Sequence, residues 1–369
     1  MPDSTFTVTY SLPGPGEAAR QLAEAICVEQ TIEFPADLVW KDDIRAEIIA
    51  RIEGLLPLAA GRFQATICFN SAIAGTELTQ LINVFFGNAS LLPGVRLESF
   101  DLPASLLAHH PGPNFGKAGL RRLLDAPVRP LLATALKPMG LSSLELADLA
   151  GKFALGGIDI IKDDHGLADQ PFSPFATRVE ASARAVADAN QVSGGLSRYF
   201  PNVTGPADQV LERARFARDC GAGGVLFAPG LAGFDTMRLL AAEVPELPIM
   251  AHPALLGGFV VSPDHGISHA ALFGHLHRLA GADIVVFPNH GGRFSFRPED
   301  CKSIAAAAAD ELGSLAPIFP APAGGMTVAR VPEMVEFYGP DVILLIGGDL
   351  HRQSSDLVAN CRGFREACW

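Results

Sequence analysis

The sequence has few positive charges and no long apolar run. Its 28 lysine and arginine residues are outnumbered by 40 aspartate and glutamate residues, which gives a formal net charge of −12. Nucleic acids and anionic membrane surfaces are bound through basic side chains, so this charge predicts neither partner. No apolar run reaches the roughly 18 residues that a membrane-spanning helix needs. A local basic pocket for one small phosphate stays compatible with this composition.

Paired cysteine motifs are also missing. The six cysteines are scattered, and no two of them stand in a C-x-x-C pattern. Such spacing predicts reduced thiols rather than a disulfide framework. The first residues, MPDS, lack the basic and apolar regions of a secretory signal. We therefore expect a cytoplasmic protein.

The composition is that of a globular protein with a large core. The 369 residues are 49% hydrophobic and 18% charged, enough for one large domain or two ordinary ones without disulfide support. The first hundred residues predict strands at 5–12, 62–70 and 95–103 and helices at 17–28 and 77–87. We interpret residues 1–112 as a small α+β, ferredoxin-like domain. The Gly/Pro-rich connector HHPGPNFG (109–116) spans its boundary with the rest of the chain.

Residues 113–369 repeat one pattern eight times, a short apolar run followed by a helical stretch. Eight such units in about 240 residues predict a (β/α)8 TIM barrel rather than an open sheet. Predicted helices include 144–154, 207–220, 236–244, 266–280 and 331–338. The eight predicted strands are RPLLATAL (129–136), GIDIIK (157–162), SRYFPNVT (197–204), GGVLFAP (223–229), LPIMAHP (247–253), ADIVVFP (282–288), APIFPAPAGG (316–325) and DVILLIGG (341–348).

Unusual residues follow these strands, at the barrel end where active sites are built. The run Lys162-Asp163-Asp164-His165 ends the second strand. Buried charges are costly unless they are paired or bind a metal. Asp164 and His165 could ligate a divalent ion, and Lys162 could join them as a carbamate formed with CO2. A network of Lys–Asp ion pairs without a metal is the alternative.

Other strand ends carry candidate groups with similarly open interpretations. Gly324-Gly325 and Gly347-Gly348 follow strands seven and eight, where backbone N–H groups commonly bind phosphate. Together with Arg293 these glycines would suit a single phosphate. The alternative is that they only form tight turns. Lys137 could be a general base or a surface lysine. His252 could move a proton, ligate a metal or be structural.

The segments GPNFGKAGLRRLL, RPLLATALKPMGLS, GGIDIIKDDHGLADQPF, PAGGM and LLIGGD follow in this order after the small domain. The ordered set resembles the RuBisCO large-chain superfamily, in particular its RuBisCO-like (form IV) members, over nearly the whole chain. The resemblance implies enolisation of a phosphorylated ketose beside Mg²⁺, and a homodimer or higher homo-oligomer. The implied residues are Lys137, Lys162 and His252 for catalysis; Lys162 (as carbamate), Asp164 and His165 for the metal; Gly324, Gly325, Gly347, Gly348, Arg293 and Asn202 for phosphate and substrate; and Glu29 and Asn83 from the second subunit.

Departures from the family pattern narrow the function. His165 replaces a carboxylate, which makes Mn²⁺ or another divalent ion an alternative to Mg²⁺. Arg293 replaces the lysine used in CO2 chemistry, and Met139 replaces a second lysine. Groups of the second phosphate site are replaced by Pro253, Val286 and Ala323, and EQTIEFP lacks the family's Thr-Trp pair. Each lost charge-assisted bond is worth about 1.5–3 kcal/mol. We expect a singly phosphorylated substrate and no CO2 fixation.

Three functions fit this reduced site. Our main prediction is a lyase that decarboxylates a 3-oxo sugar-acid phosphate, such as 3-oxo-isoapionate 4-phosphate. The alternative is an enzyme of methionine salvage, either 5-methylthioribulose-1-phosphate isomerase or diketo-methylthiopentyl-phosphate enolase. Those enolases share a lysine that acts as a base, and this chain resembles them around that position but has Asn88 there. The difference disfavours the enolase. A non-catalytic binding or regulatory relative is the third, and the retained lysine–aspartate cluster argues against it.

Overall fold

The computed structural model describes residues 4–368, which contain two β-sheets. The strands are β1 (Thr5–Pro13), β2 (Arg51–Pro57), β3 (Arg62–Asn70), β4 (Arg96–Asp101), β5 (Leu131–Leu136), β6 (Ile160–Asp163), β7 (Arg198–Phe200), β8 (Val225–Phe227), β9 (Ile249–Ala251), β10 (Gly266–Ile267), β11 (Ile284–Pro288), β12 (Phe319–Ala323) and β13 (Ile343–Ile346).

The α-helices lie mostly between these strands. They are α1 (Gly16–Glu29), α2 (Leu78–Phe86), α3 (Ala104–Leu107), α4 (Gly116–Leu123), α5 (Ser143–Leu155), α6 (Phe175–Ser193), α7 (Val210–Asp219), α8 (Pro229–Ala232), α9 (Phe234–Glu243), α10 (Gly257–Val260), α11 (His277–Leu279), α12 (Pro298–Ala309), α13 (Val331–Tyr338), α14 (Asp349–Arg352) and α15 (Leu357–Glu366). Short 3₁₀ turns and two π-helical segments, Ile44–Ile48 and Ala270–Leu276, complete the regular structure. No helix within residues 4–368 is long and apolar enough to cross a membrane.

The N-terminal sheet has the predicted ferredoxin-like arrangement. Elements β1-α1-β2-β3-α2-β4 build antiparallel pairs in the order β4-β1-β3-β2. Strand β1 alternates as expected, because Phe6, Val8, Tyr10 and Leu12 are all buried. Strand β2 was not predicted from the sequence. It lies at the sheet edge, where its half-exposed residues leave a weak apolar alternation.

One prediction fails where the second half of the chain meets this sheet. The segment 266–280 was expected to be a helix, but Gly266 and Ile267 form β10 and pair in parallel with β4. Gly266 has φ +105°, and a Cβ there would lie 2.1 Å from the Phe259 carbonyl oxygen. That backbone conformation and that close approach exclude a helix start, so helical structure begins only at Ala270.

The second sheet confirms the TIM barrel. Its eight strands are parallel in the order β7-β6-β5-β13-β12-β11-β9-β8. Seven lie inside the predicted runs, and β6 extends one residue beyond its run, to Asp163. A bridge between Asn202 and Leu226 joins the two end strands and closes the barrel. Alternate residues fill its interior and pack against the helices; in β5, for example, Leu131 and Ala133 belong to the inner cluster and Leu132 to the outer one. The carboxyl ends of the strands therefore meet at one mouth. The domain boundary at 112/113 stays a prediction.

Candidate active site

Lys162 lies inside the barrel near the end of β6. Its side chain is buried, with 3% of the residue exposed, and Nζ donates a hydrogen bond to the Asp163 carbonyl oxygen at 3.0 Å. Burial lowers the pKa of this amine to about 8, and the charge of Lys137 adds to the effect while that of Asp164 opposes it. A substantial neutral fraction therefore exists near pH 8, and a neutral amine is the form that reacts with CO2.

Asp164 is the centre of a charged cluster at the mouth. Lys137 Nζ lies 2.9 Å from its Oδ1, and His165 Nδ1 lies 3.4 Å from the same oxygen. Burial alone would raise the pKa of Asp164. The contacts with His165 and Lys137, together with the charge of Lys162, outweigh burial and hold that pKa far below its usual range. Asp164 is thus a permanent anion at neutral pH.

Two histidines stack beside this carboxylate. The rings of His165 and His252 lie 4.2 Å apart at an interplanar angle of 11°. His252 Nδ1 accepts a hydrogen bond from the Ala254 N–H at 3.2 Å, which assigns the ring proton to Nε2. Burial, followed by the charges of Lys162 and His165, lowers the pKa of His252 to about 2. His252 is therefore neutral and offers one N–H donor.

Asp163 faces the opposite side of β6. Its carboxylate accepts hydrogen bonds from Arg178 Nε at 3.0 Å, the Tyr199 hydroxyl at 2.7 Å and the Asn202 backbone N–H at 3.0 Å. The Arg178–Asp163 ion pair is fully buried. Successive strand residues point to opposite faces, so the run KDDH is divided between two environments. Asp163 belongs to a closed ion-pair network. Lys162 and Asp164 lie on the other side with Lys137 and His165, and we call these four residues the open cluster.

The open cluster fits a divalent metal when the lysine is carbamylated. No group of three or more His, Cys, Asp or Glu side chains within residues 4–368 is arranged to hold a metal ion. Asp164 and His165 supply two such groups in contact with each other. A carbamate on the buried Lys162 amine would add the third ligand and a second anionic group. That donor set, two oxygens and an imidazole, suits Mg²⁺ or Mn²⁺.

The glycine loops lie after the two strands predicted to carry them. Gly324 and Gly325 have φ of +96° and +65°, a region that favours glycine. A Cβ added at Gly324, Gly347 or Gly348 would meet nothing within 4 Å, so these backbones border open space. Gly325 is closely packed, since its Cβ would lie 3.2 Å from Arg330 Nη1 and from the Gly291 carbonyl oxygen. The open backbones at three of the four glycines leave room for a ligand.

An arginine that the sequence analysis missed lies at this loop. Arg330 Nη1 donates to the Gly325 carbonyl oxygen at 2.9 Å, and the same guanidinium pairs with Glu333. Arg293, which the sequence analysis chose, is exposed in the loop after β11, and its guanidinium lies over the Phe294 ring at 5.2 Å. No motif marks Arg330; the only signal is its position five residues after a glycine pair.

The remaining predicted residues lie apart from the open cluster. Asn202 is buried behind it, next to Asp163. Glu29 and Asn83 belong to the N-terminal sheet domain, where Glu29 Oε1 accepts from Asn88 Nδ2 at 2.8 Å and Asn83 is exposed. Within residues 4–368 no recorded contact joins Glu29 or Asn83 to Asp164. Their predicted role in a second subunit's site stays a prediction.

Known proteins share this fold and these segments. The family profile of the ribulose bisphosphate carboxylase large chain, catalytic domain, matches residues 116–368. The chain belongs to the RuBisCO large-chain family. Ribulose bisphosphate carboxylase-like protein 1 of Rhodopseudomonas palustris is 42% identical over 97% of this chain and 95% of its own. A crystal structure of a Rubisco-like protein from the same species superposes with a TM-score of 0.90, at 40% identity, over 99% of this chain and 97% of its own. This confirms a RuBisCO-like protein.

Two relatives carry names of reactions. The 5-methylthioribulose-1-phosphate isomerase of Rhodospirillum rubrum is 42% identical over 93% of this chain and 90% of its own length. A 2,3-diketo-5-methylthiopentyl-1-phosphate enolase of Geobacillus thermodenitrificans is 35% identical over 82% of this chain and 73% of its own. The chain is thus an enzyme of the RuBisCO-like class. Its relatives favour the alternative from the sequence analysis over the decarboxylase that we had placed first.

Proposed function

We propose that the chain is a sugar-phosphate isomerase that acts on 5-methylthioribulose 1-phosphate or a close analogue. The observation that carries this proposal is the 42% identity with the isomerase of Rhodospirillum rubrum, which extends over 93% of the chain. The polar cluster at the barrel mouth supports it, because isomerisation of a ketose by proton transfer needs a group that removes a proton from a carbon beside the carbonyl and returns one to a different carbon. The glycine loops beside that cluster supply room for a single phosphate.

The enolase is the second candidate, and one contact argues against it. Asn88, which stands where the enolases carry a base lysine, donates its amide to Glu29 at 2.8 Å. An amide side chain cannot take up a proton near neutral pH, so this position offers no general base. The enolase relative is also less similar than the isomerase, at 35% against 42% identity.

The side chains at the mouth have complementary roles in the isomerisation. Lys137 is half-exposed and lies 2.9 Å from Asp164, so its Nζ is the group available to hold and move the substrate proton. Neutral His252 carries its proton on Nε2 and can donate a hydrogen bond to a substrate oxygen as negative charge develops there.

Lys162, Asp164 and His165 are the residues that would hold a divalent ion, with Mg²⁺ or Mn²⁺ as the candidates. The carbamate forms when the neutral Lys162 amine attacks CO2 and one proton is released to solvent. A bound divalent ion would stabilise negative charge on a substrate oxygen. Burial of Lys162 supports carbamylation, because it lowers the pKa of the amine to about 8 and so makes the reactive form accessible.

A homodimer is part of the same proposal. The RuBisCO of Pyrococcus horikoshii, which superposes with a TM-score of 0.93 at 27% identity over 100% of this chain and 88% of its own, is octameric. Glu29 and Asn83 lie on the N-terminal sheet domain, away from their own chain's cluster, which leaves them available to a second subunit. Sedimentation at micromolar concentration tests the assembly directly.

The reaction is tested with the purified protein, Mg²⁺ and bicarbonate. We expect 5-methylthioribulose 1-phosphate in deuterated water to be isomerised, with deuterium incorporated at a carbon beside the carbonyl. The matched control is Lys162→Met, which keeps a side chain of similar length and cannot form the carbamate. The same protein is offered the diketo-methylthiopentyl phosphate, a 3-oxo sugar-acid phosphate and ribulose bisphosphate.

Each of these substrates has a distinct product. Release of CO2 from the sugar-acid phosphate with no isomerisation would replace our proposal by the decarboxylase. Enolisation of the diketone at a higher kcat/KM than the isomerisation would favour the enolase. Ribulose bisphosphate should give no carboxylated product. Turnover there would contradict the loss of the second phosphate site.

A further inference from the structure

The segment that follows β6 has an unusual hydrogen-bond pattern. Five consecutive carbonyl oxygens, those of residues 164–168, each accept a hydrogen bond. Only the first bond comes from the backbone, since the Leu167 N–H closes a turn on the Asp164 carbonyl at 3.0 Å. The other four come from side chains. The carbonyl oxygens of loops at a half-exposed surface usually accept hydrogen bonds from water. Here side chains of neighbouring elements bind them instead and fix the segment in place.

Asn202 makes two of these four bonds. Its Nδ2 donates to the carbonyl oxygens of His165 at 3.0 Å and Leu167 at 2.8 Å. Its Oδ1 accepts from the Thr204 N–H at 3.2 Å, and its own backbone N–H donates to Asp163. Both N–H donors of its amide are thus used within the protein, and the residue is only 2% exposed.

Arg178 and Gln170 make the other two. Arg178, which is fully buried in α6, donates Nη2 to the Ala168 carbonyl oxygen at 2.7 Å and Nε to Asp163 at 3.0 Å. Gln170 donates Nε2 to the Gly166 carbonyl oxygen at 2.7 Å. The closed network on the far side of β6 is therefore continuous with the segment that presents Asp164 and His165 at the mouth.

We propose that Asn202 is a positioning residue, which acts with Arg178 and Gln170 to hold residues 164–168 in one conformation before any ligand binds. With the carbonyls tied to the far side, Asp164 and His165 are kept beside Lys162. This assigns Asn202 a role through the backbone of the candidate metal ligands instead of the substrate contact expected from the sequence. The inference rests on the proposed function only in that Asp164 and His165 serve as ligands.

The test compares the two ends of β7. Asn202→Ala removes three side-chain hydrogen bonds after the strand, two to the carbonyls of 164–168 and one from the Thr204 N–H. Asn190→Ala removes the two bonds that Asn190 makes with the Ser197 backbone before it. Hydrogen exchange of the metal-free proteins is measured segment by segment, and Mn²⁺ binding in bicarbonate is measured by paramagnetic resonance. We expect Asn202→Ala to speed exchange of the amides in 164–173 by about tenfold and to weaken Mn²⁺ binding by about 10–100-fold. Asn190→Ala should change neither by more than about twofold.

Several outcomes would overturn the positioning role. Unchanged protection of 164–173 in Asn202→Ala would do so, as would faster exchange spread evenly over the chain, or equal effects in both asparagine variants. If Asn202→Ala does not fold, Gln170→Ala gives the same comparison. It removes one carbonyl bond, to Gly166, and the bond that Gln170 accepts from the Ala168 N–H, and we expect a smaller effect of the same kind. A wild-type protein that binds no Mn²⁺ would contradict the metal in the proposed function, and the exchange measurement would still decide on Asn202.

Discussion

The carboxylates at the two ends of β6 differ in how completely they are paired. Before the strand, both carboxylate oxygens of Asp159 are bound by Arg129, at 2.5 and 2.7 Å, and one also accepts from the Leu132 N–H. Both side chains of that pair are less than a tenth exposed. After the strand, Asp164 contacts Lys137 and His165, which are each 45% exposed. The fully paired Asp159 can therefore contribute only to structure. Asp164 is incompletely paired and lies beside solvent, so it remains available to bind a metal or substrate.

The largest effect on this comparison is expected from Lys162→Met at the open end. The variant keeps the buried shape and loses the amine that would form the proposed carbamate. The proposed isomerase activity should fall on the order of a thousandfold or more, since a metal held there would supply several kcal/mol of charge stabilisation. Initial rates with saturating Mg²⁺ and bicarbonate measure this, and near-normal rates would remove the carbamate from the proposal.

The next effect is expected from Lys137→Met. We expect kcat to fall by about 10²–10⁴-fold, the range for a missing acid–base group, with KM little changed. Stability should shift by less than about 1 kcal/mol, because Lys137 is half-exposed and its ion pair is solvated. A rise in KM at constant kcat would mean that Lys137 binds substrate and does not move a proton.

At the other end of β6, where Asp159 is fully paired, a substitution should lower stability and leave activity nearly unchanged. Asp159→Asn leaves the buried Arg129 without its anionic partner, so the free energy of unfolding should drop by about 3–5 kcal/mol. Activity per folded molecule should stay within about twofold, because the residue lies at the far end of the strand. Urea unfolding with parallel activity assays measures both. A large loss of activity with intact stability would contradict the comparison.

The pH dependence of stability gives a smaller effect. The folded pKa of Lys162, about 8, is below its unfolded value near 10.5, so the unfolded chain binds more protons between these values. Stability of the metal-free, CO2-free protein should therefore increase as pH rises from 8 to 10.5, and below pH 8 the buried ammonium costs on the order of 3 kcal/mol. Lys162→Met should lack this rise, and an identical pH profile in both proteins would contradict it.

The smallest effect is expected from His165→Glu. The substitution replaces a neutral imidazole by an anionic oxygen ligand, which Mg²⁺ prefers, so Mg²⁺ should bind about tenfold more tightly. Calorimetric titration in bicarbonate measures the affinity, with Mn²⁺ as the control ion for which the gain should be smaller. Tighter Mg²⁺ binding by the native protein would show that His165 is a better ligand than its chemistry predicts.

Much of the fold could be predicted because the barrel strands are short apolar runs that end at charged residues, glycine or proline. The failures have local causes. Strand β2 has half-exposed residues at a sheet edge, and the Gly266 segment reads as a helix until its contact with Phe259 is known. At the site, Lys137, Lys162, Asp164, His165 and His252 were predicted together. Arg330 and the bonds of Asn202 were not, since neither stands in a motif.

The sequence by itself determined the strand–helix rhythm, the family, and the identity of the charged residues at the strand ends. Only the tertiary structure decided what each of those charges does. Asp163 and Asp164 are adjacent and chemically identical, and the alternation of side chains along β6 turns one toward Arg178 and Tyr199 and the other toward Lys137. Their different roles follow from partners that lie 15 to 36 residues away in the chain and meet them only in the closed barrel.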